Sequence, residues 1–412
     1  MTENNLLIER HILLCIGDYS DNINIAYIKE HFCGKVFTDL DSYSRNENLD
    51  RNGFVYICGD IAIVNQSLSL IKERTIIVIK DLSWNYETLN DIVKLIEMGE
   101  VPIKYHNIGV YFRKLFSSNE SFFENISREH HFQALTESNK PSNAFRKGIY
   151  LTNVKQDEDK DEIRFNLLRC SSNLNGPSDN FRESDVKIVR RVNDISSNFF
   201  RDEVELNHVL AQIYENTLQI TSRAKEVEKK AKIKAHSDKT KDMPRNGLIA
   251  FCTFYKFDPT IQYQRSVDDN FDIHYKKTSV LTKLQFRLKS TVTDPFFVKE
   301  FTVTLYPNSV FIIPLSTNRL YTHEIKPSIL PIDKIPIRMG YVIRCSKTEA
   351  IYKNGETFIY EEGKRIKMEA ITNDDIVHLR QLYFRENVTD DLIDYGSINF
   401  SMNNGDHLKP LV

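Results

Sequence analysis

Residues 232–255 read KIKAHSDKTKDMPRNGLIAFCTFY, and short apolar or alternating runs follow: LTKLQFRLK at 281–289, FVKEFTVTLY at 297–306, SVFIIPL at 309–315 and IRMGYVIRCS at 337–346. Pro, Asn and Asp punctuate the gaps between them. Many short strands separated by turn formers predict a sandwich or jelly-roll architecture. Side chains at i and i+2 of a strand share a face. His236 and Asp238 can therefore point into one cavity, with Ser237 turned away. His323, in PNSVFIIPLSTNRLYTHEI (307–325), would come from a strand far along the chain that a jelly roll can bring opposite.

A His-x-Asp pair with one distant His is the donor set of the facial triad that holds non-haem Fe(II) and leaves coordination positions open. Arg338 and Arg344 follow in a segment where Ile337, Val342 and Ile343 suggest a partly buried strand. Buried arginines need anionic partners, and a guanidinium fork suits the carboxylate of an oxo-acid cosubstrate. Each residue alone has a plainer reading. His-x-Asp is frequent by chance, a lone His in a strand is more often a hydrogen-bonded core or surface residue, and a strand Arg is more often a surface cation. The order of the residues and the strands around them carry the weight.

These segments also carry a family resemblance. KIKAHSDKTKD (232–242) resembles the metal-binding strand of the AlkB-like 2-oxoglutarate/Fe(II) dioxygenases, and LNHVLAQIY (206–214) is similar to the family's Asn-and-Tyr-bearing segment. SVFIIPLSTNRLYTHEIKP (309–327) resembles its second-His segment, and IRMGYVIRCS resembles its closing Arg-x-Asn-x-x-x-Arg strand. The likeness covers roughly residues 205–347, about a third of the chain. It implies that His236, Asp238 and His323 ligate Fe(II). It also implies that Arg338 pairs with the far carboxylate of 2-oxoglutarate, that Arg344 sits near the keto-acid end, and that Tyr214 offers its hydroxyl to the cosubstrate. Gln212 and Gly340 stand where the family usually has Asn, and a basic insertion separates Tyr214 from His236. Nucleic-acid repair members usually place an acid two residues after the metal Asp; this chain has Thr240 there and Asp242 two further on.

The implied fold class is α+β: a C-terminal double-stranded β-helix (jelly roll) preceded by a small α/β domain. The expected division is a small α/β domain over 1–120, a connecting and support region over 121–204, and the jelly-roll oxygenase domain over 205–412. In the first part, HILLCIGDY, KVFTDL, GFVYICGD and TIIVIKDL read as strands, while NINIAYIKEHF and ETLNDIVKLIEMGE read as helices. Apolar strands alternating with helices predict a parallel layer. CIGDY and ICGDI place Asp18 and Asp60 at carboxyl ends of neighbouring strands, where ligands of open α/β sheets often bind. No G-x-G-x-x-G or P-loop supports a nucleotide there, so a partner-binding role leads. A helix-like stretch is expected from Glu205, a helix from Asp374, and a frayed tail at SMNNGDHLKPLV (401–412); Ser171–Asp185 reads as a surface loop or a lid.

Hydrophobic content of 41%, charged content of 27% and a net charge of −2 are those of an ordinary soluble protein, with no global pull toward nucleic acid or an acidic membrane. The N-terminal apolar run is broken by Glu9 and Arg10, and no stretch reaches membrane-span length. Six scattered cysteines without a C-x-x-C pair argue against a zinc module. The expectation is a reduced intracellular protein of the cytoplasm, with the nucleus also open. Basic residues at 223–245 could track phosphates, but charge runs are usually solvated faces. The functional expectation is an oxygenase using Fe(II), 2-oxoglutarate and O2 on a protein side chain or small molecule, with a methylated base in nucleic acid kept as a further option. The rival is a catalytically silent jelly-roll scaffold, for which the ligands would be apart or Arg338 would face solvent. A cupin-type metal enzyme without oxo-acid would leave both arginines unexplained.

Overall fold

The computed structural model describes residues 6–17, 22–46, 52–65, 71, 73–86, 93–137, 140–169, 174–201, 204–220, 225–361 and 363–412. It is a mixed α+β fold in which strands predominate, divided into two compact units. One comprises residues 1–115 with 195–203, the other 116–194 with 204–412. No helix among the described residues is long and apolar enough to cross a membrane.

In the first unit, β1 (His11–Ile16), β2 (Lys35–Phe37), β3 (Phe54–Asp60), β4 (Thr75–Trp84) and β5 (Lys94–Ile96) form a parallel sheet in the order β2-β1-β3-β4-β5. β1 is buried at every residue, as an uninterrupted apolar run predicts for a strand covered on both faces. Ile12, Leu14, Val55, Ile57 and Val78 form its core. The connecting helix α1 (Ile23–His31) starts where the Asn22 side chain accepts from the Asn24 and Ile25 amides. Asp60 does end β3, with one carboxylate oxygen accepting from the Ala62 amide and the Asn85 side chain. Asp18 lies outside the described residues.

The helix expected over 87–100 is corrected. Residues 87–92 lie outside the described set, but Lys94–Ile96 pairs with Ile77–Ile79 and Met98–Glu100 is a single 3-10 turn. Apolar residues at helical spacing fit a helix, yet the open edge of β4 offers backbone partners, and pairing overrides local preference. Gly59 leaves no room for a side chain. Its φ is +104°, and a Cβ there would lie 1.8 Å from the Ile16 carbonyl oxygen across the β1–β3 pair. Gly59→Ala is expected to cost about 3 kcal/mol or more, read as a lower thermal midpoint; an unchanged midpoint would contradict this pairing.

The second unit is built on β6 (Lys140–Thr152), β7 (His208–Tyr214), β8 (Ile233–His236), β9 (Leu248–Lys256), β10 (Lys283–Leu288), β11 (Glu300–Thr304), β12 (Ser309–Pro314), β13 (Tyr321–Lys326) and β14 (Ile337–Arg344). β6-β7-β14-β9-β12 run antiparallel in one sheet and β8-β13-β10-β11 in a second. The central strand β9 is buried on both faces over Leu248–Phe254, whereas β11 and β13 alternate buried with more exposed positions. The sheets meet face to face through aromatic side chains: Phe286 of β10 lies edge-on to Phe311 of β12 at 5.8 Å, and Phe251 of β9 edge-on to His323 of β13 at 5.4 Å. A further antiparallel sheet combines Glu162–Leu167 with Thr348–Lys353 and the strands after it.

Three further expectations change. The stretch after Glu205 is strand, not helix: β7 pairs along its whole length with β6 on one side and β14 on the other, and within the basic insertion Thr217–Ile220 pairs antiparallel with Glu226–Lys229. The tail is not frayed. Ser401, Asn403 and Asp406 are buried and bonded to one another, and the Leu411 amide donates to the Ser178 carbonyl. Within Ser171–Asp185, residues 171–173 lie outside the described set, while Asp179–Asn180 pairs with Leu151–Thr152 and so is tied to the sheet. The helix expected from Asp374 spans Asn373–Val388 and is capped by Thr372.

Candidate metal centre

β8 and β13 pair so that His236 and His323 stand directly opposite each other, with ring centroids 4.5 Å apart. β8 ends at His236, and Asp238 stands two residues beyond it, outside any helix or strand. One Asp238 oxygen, Oδ1, lies 3.5 Å from His236 Nε2 and 3.9 Å from His323 Nε2. One donor atom from each of the three residues falls within 4.8 Å of the others.

The orientation of each donor has a local cause. His236 Nδ1 lies 2.9 Å from the Lys234 carbonyl, which makes it the protonated nitrogen and leaves the Nε2 lone pair for the centre. The other Asp238 oxygen, Oδ2, accepts from Arg344 Nε at 2.8 Å and is 2.8 Å from Arg344 Nη2. The Asp238 amide donates to Asn318 Oδ1 at 2.8 Å, and Asn318 Nδ2 donates back to the Asp238 carbonyl at 3.0 Å. Ser237 does turn away, its hydroxyl donating to the Tyr321 carbonyl at 3.1 Å.

Charge follows from this packing. Burial pushes the Asp238 carboxyl up, but Arg344 and the two imidazoles outweigh it and hold the group well below the usual carboxylate range. Burial, seconded by His236, pushes His323 down to about 3, so its imidazole is neutral and able to ligate. Phe251 and Phe286 flank the His323 ring. The His236 side chain is 31% exposed, against 5% for His323, so the centre opens to solvent on the His236 side. Two imidazole nitrogens and one carboxylate oxygen, with the second oxygen already engaged, fit a divalent first-row metal of the facial-triad type.

Arg338 lies on the same sheet face as Arg344. Directly paired antiparallel residues share a face, so the rows Tyr214–Arg338–Tyr255, Gln212–Gly340–Thr253–Ser309 and His208–Arg344–Ile249 look toward β13 together with Phe251. Arg338 is only 4% exposed, and its Nε and Nη2 meet no hydrogen-bond partner among the described residues. Its guanidinium stacks on the Tyr214 ring at 3.7 Å. Thr253 Oγ1 and Ser309 Oγ, one row further in, are likewise buried without partners among the described residues. A Cβ at Gly340 would lie 2.9 Å from Arg338 Nη1 and 3.2 Å from Tyr214, so the missing side chain at 340 makes room for this stack. Gln212 is engaged with the Tyr214 hydroxyl at 3.3 Å.

The acids near the His-x-Asp pair are committed elsewhere. Asp242 is buried against Arg169, with Nη2 to Oδ1 at 2.7 Å, and accepts from the Thr348 hydroxyl at 2.9 Å. Thr240 bonds Glu386 through both its amide and its hydroxyl. A second group, Glu129, His130 and Asp185, also brings donor atoms within 4.8 Å. There His130 Nδ1 and Nε2 each lie 2.7 Å from a carboxylate, of Asp179 and Asp185, so both ring nitrogens are taken by ion pairs. Sequence reasoning missed Asn318; an amide that acts by bonding backbone leaves no spacing signal.

No family model matches the chain, and no curated protein matches it. Among solved structures, similarity is found to OsALKBH1, at 14% identity over 57% of this chain and 96% of that one, TM-score 0.33. It is also found to the non-heme alpha ketoglutarate dependent epimerase SnoN from nogalamycin biosynthesis, at 8% identity over 60% of this chain and 80% of that one, TM-score 0.31. Scores this low transfer no residue role.

Proposed function

We propose that the second unit is a jelly-roll oxygenase in which His236, Asp238 and His323 hold Fe(II) and Arg338 receives the far carboxylate of 2-oxoglutarate. The observation that carries this reading is the buried guanidinium of Arg338, without an anionic partner among the described residues, on the sheet face that also bears Arg344. A buried cation without a counter-ion is costly, and a dicarboxylate would relieve it bidentately. With Fe(II) bound, O2 would be the oxidant for substrate hydroxylation, and 2-oxoglutarate would supply the other two electrons by decarboxylating to succinate and CO2.

The chain's own residues bind, orient and exclude water. Tyr214 stacks on the Arg338 guanidinium, and the buried Thr253 and Ser309 hydroxyls would be available to hydrogen-bond a cosubstrate held by Arg338. Arg344 fixes the Asp238 carboxylate so that Oδ1 alone faces the donors. Phe251 and Phe286 keep the far side dry, leaving the His236 side for substrate. A protein side chain or a small molecule is the favoured substrate. Thr240 and Asp242, the positions nearest to where a base-reading acid would stand, are occupied by Glu386 and Arg169. The silent-scaffold reading calls for separated ligands or a solvent-facing Arg338, and neither is found.

Arg338→Met tests the assignment. It is expected to weaken 2-oxoglutarate binding about 100-fold or more while leaving Co(II) binding, followed by visible absorption, as in the wild type. Unchanged 2-oxoglutarate affinity would overturn the role of Arg338. Absence of both metal and 2-oxoglutarate binding in the wild type would favour the scaffold.

A further inference from the structure

The segment that carries Asp238 is held from outside by the end of one helix. β8 stops at His236, so the next amides have no strand partner. The Ser237 amide donates instead to Asn387 Oδ1 at 2.9 Å, and the Thr240 amide to Glu386 Oε1 at 3.1 Å. Lys239 Nζ, between them, also donates to Asn387 Oδ1 at 2.7 Å. Both acceptors belong to the last turn of the Asn373–Val388 helix, which lies beyond the stretch 205–347 that carries the sequence resemblance.

That last turn is itself immobilised. Its terminal carbonyls are the orphan acceptors of any helix end, and cations are favoured there. Lys239 Nζ donates to the Tyr383 carbonyl at 3.2 Å, and Lys289 Nζ to those of Glu386 at 2.6 Å and Thr389 at 3.0 Å. Both lysines are buried. The chain of contacts runs from β10 through Lys289 to the helix end, then through Asn387 to the residue before Asp238.

We propose that Asn387 is a positioning residue for the metal centre: by accepting from the Ser237 amide and from Lys239 together, it sets where Asp238 presents Oδ1 to His236 and His323. The proposal rests on the metal reading above. These two bonds of Asn387 go to the residues flanking Asp238, the backbone amide of Ser237 and the side-chain Nζ of Lys239, and not to a donor atom of the centre.

The test compares the wild type with Asn387→Leu, which keeps the size but removes the acceptor, and Asn387→Asp, which keeps the acceptor. Co(II) affinity and the intensity of its visible bands are measured alongside the unfolding midpoint of the metal-free protein. Asn387→Leu is expected to bind Co(II) about 10- to 100-fold more weakly, the range for losing an outer-shell partner, with altered band intensity. Asn387→Asp is expected to stay within about threefold of the wild type. A merely structural role would lower the midpoint of Asn387→Leu and leave Co(II) affinity unchanged, and that result would overturn the proposal. Equal losses in the Leu and Asp variants would overturn it too. Should the leucine variant not fold, Asn387→Ser, too short to reach both donors, is read by the same affinity criterion. A wild type that binds no Co(II) would bring down the metal reading itself; wild-type binding with no loss in the variants brings down this inference alone.

Discussion

Asp238→Ala is expected to abolish Fe(II)-dependent succinate formation from 2-oxoglutarate and to weaken the fold at the same time. The two losses come from the two oxygens of one carboxylate. Oδ1 faces both His Nε2 atoms, so its removal takes one of the three donors. Oδ2 is bonded by Arg344 through Nε and Nη2 in a setting where both side chains are only 8% exposed. Breaking a buried ion pair by deleting one partner typically costs about 3–5 kcal/mol. Succinate assays and urea denaturation of the metal-free variant separate the two effects. Asp238→Asn is the control, since it retains the shape and an acceptor for Arg344 but loses the negative charge. It is expected to be as inactive as the alanine variant and less destabilised. Retained turnover in either variant would remove Asp238 from the ligand set.

The other large effect is expected at the second buried cluster, around His130. His130 is fully buried between Asp179 and Asp185; the Tyr341 hydroxyl donates to the second oxygen of Asp185 at 2.7 Å, and Arg182 bonds Asp179 at 2.9 Å. Burial pushes the imidazole down, but the two carboxylates outweigh it and bring His130 up to about 9, so the ring is a cation at neutral pH. His130→Leu strands two buried carboxylates and is expected to cost about 3–5 kcal/mol. The pH dependence has a definite sign. A folded-state value raised above the unfolded one of about 6.5 means the contribution is complete below about 6.5 and is lost as pH rises through about 9. Unfolding free energies at pH 6 and pH 9.5 should therefore differ for the wild type, and the difference should shrink in His130→Leu. A flat wild-type profile across that window would mean the ring is neutral.

The sequence was most readable where one physical rule acted alone. Uninterrupted runs such as HILLCI and LIAFCTF became fully buried strands because no other placement buries both faces. The i, i+2 rule anticipated His236 and Asp238 on one side of the chain with Ser237 on the other, and the paired register put His323 across from His236. Legibility failed where tertiary pairing competed with local pattern. Lys94–Ile96 sits in a stretch with helical spacing yet completes a sheet edge, and the lysines of 225–234 hid an antiparallel strand pairing and part of β8. It failed also where polar residues satisfy one another inside the protein. Ser401, Asn403 and Asp406 read as a frayed tail, and Asn318 drew no reading at all, because their partners are remote or unpatterned in sequence.

β8 is a four-residue strand at the margin of its sheet, paired among the described residues only with β13 and irregular in register between Ile233 and His236. On the metal reading proposed above, an edge strand that carries one of the donors has kinetic meaning. Peeling it back would detach His236 and loosen Asp238 while His323 stays bonded within β13 and β10, so a bound ion could exchange through a small local opening at a rate unrelated to global unfolding. Amides of residues 233–236 would then exchange with solvent deuterium faster than those of 321–326, and loading with metal would slow the first set far more than the second.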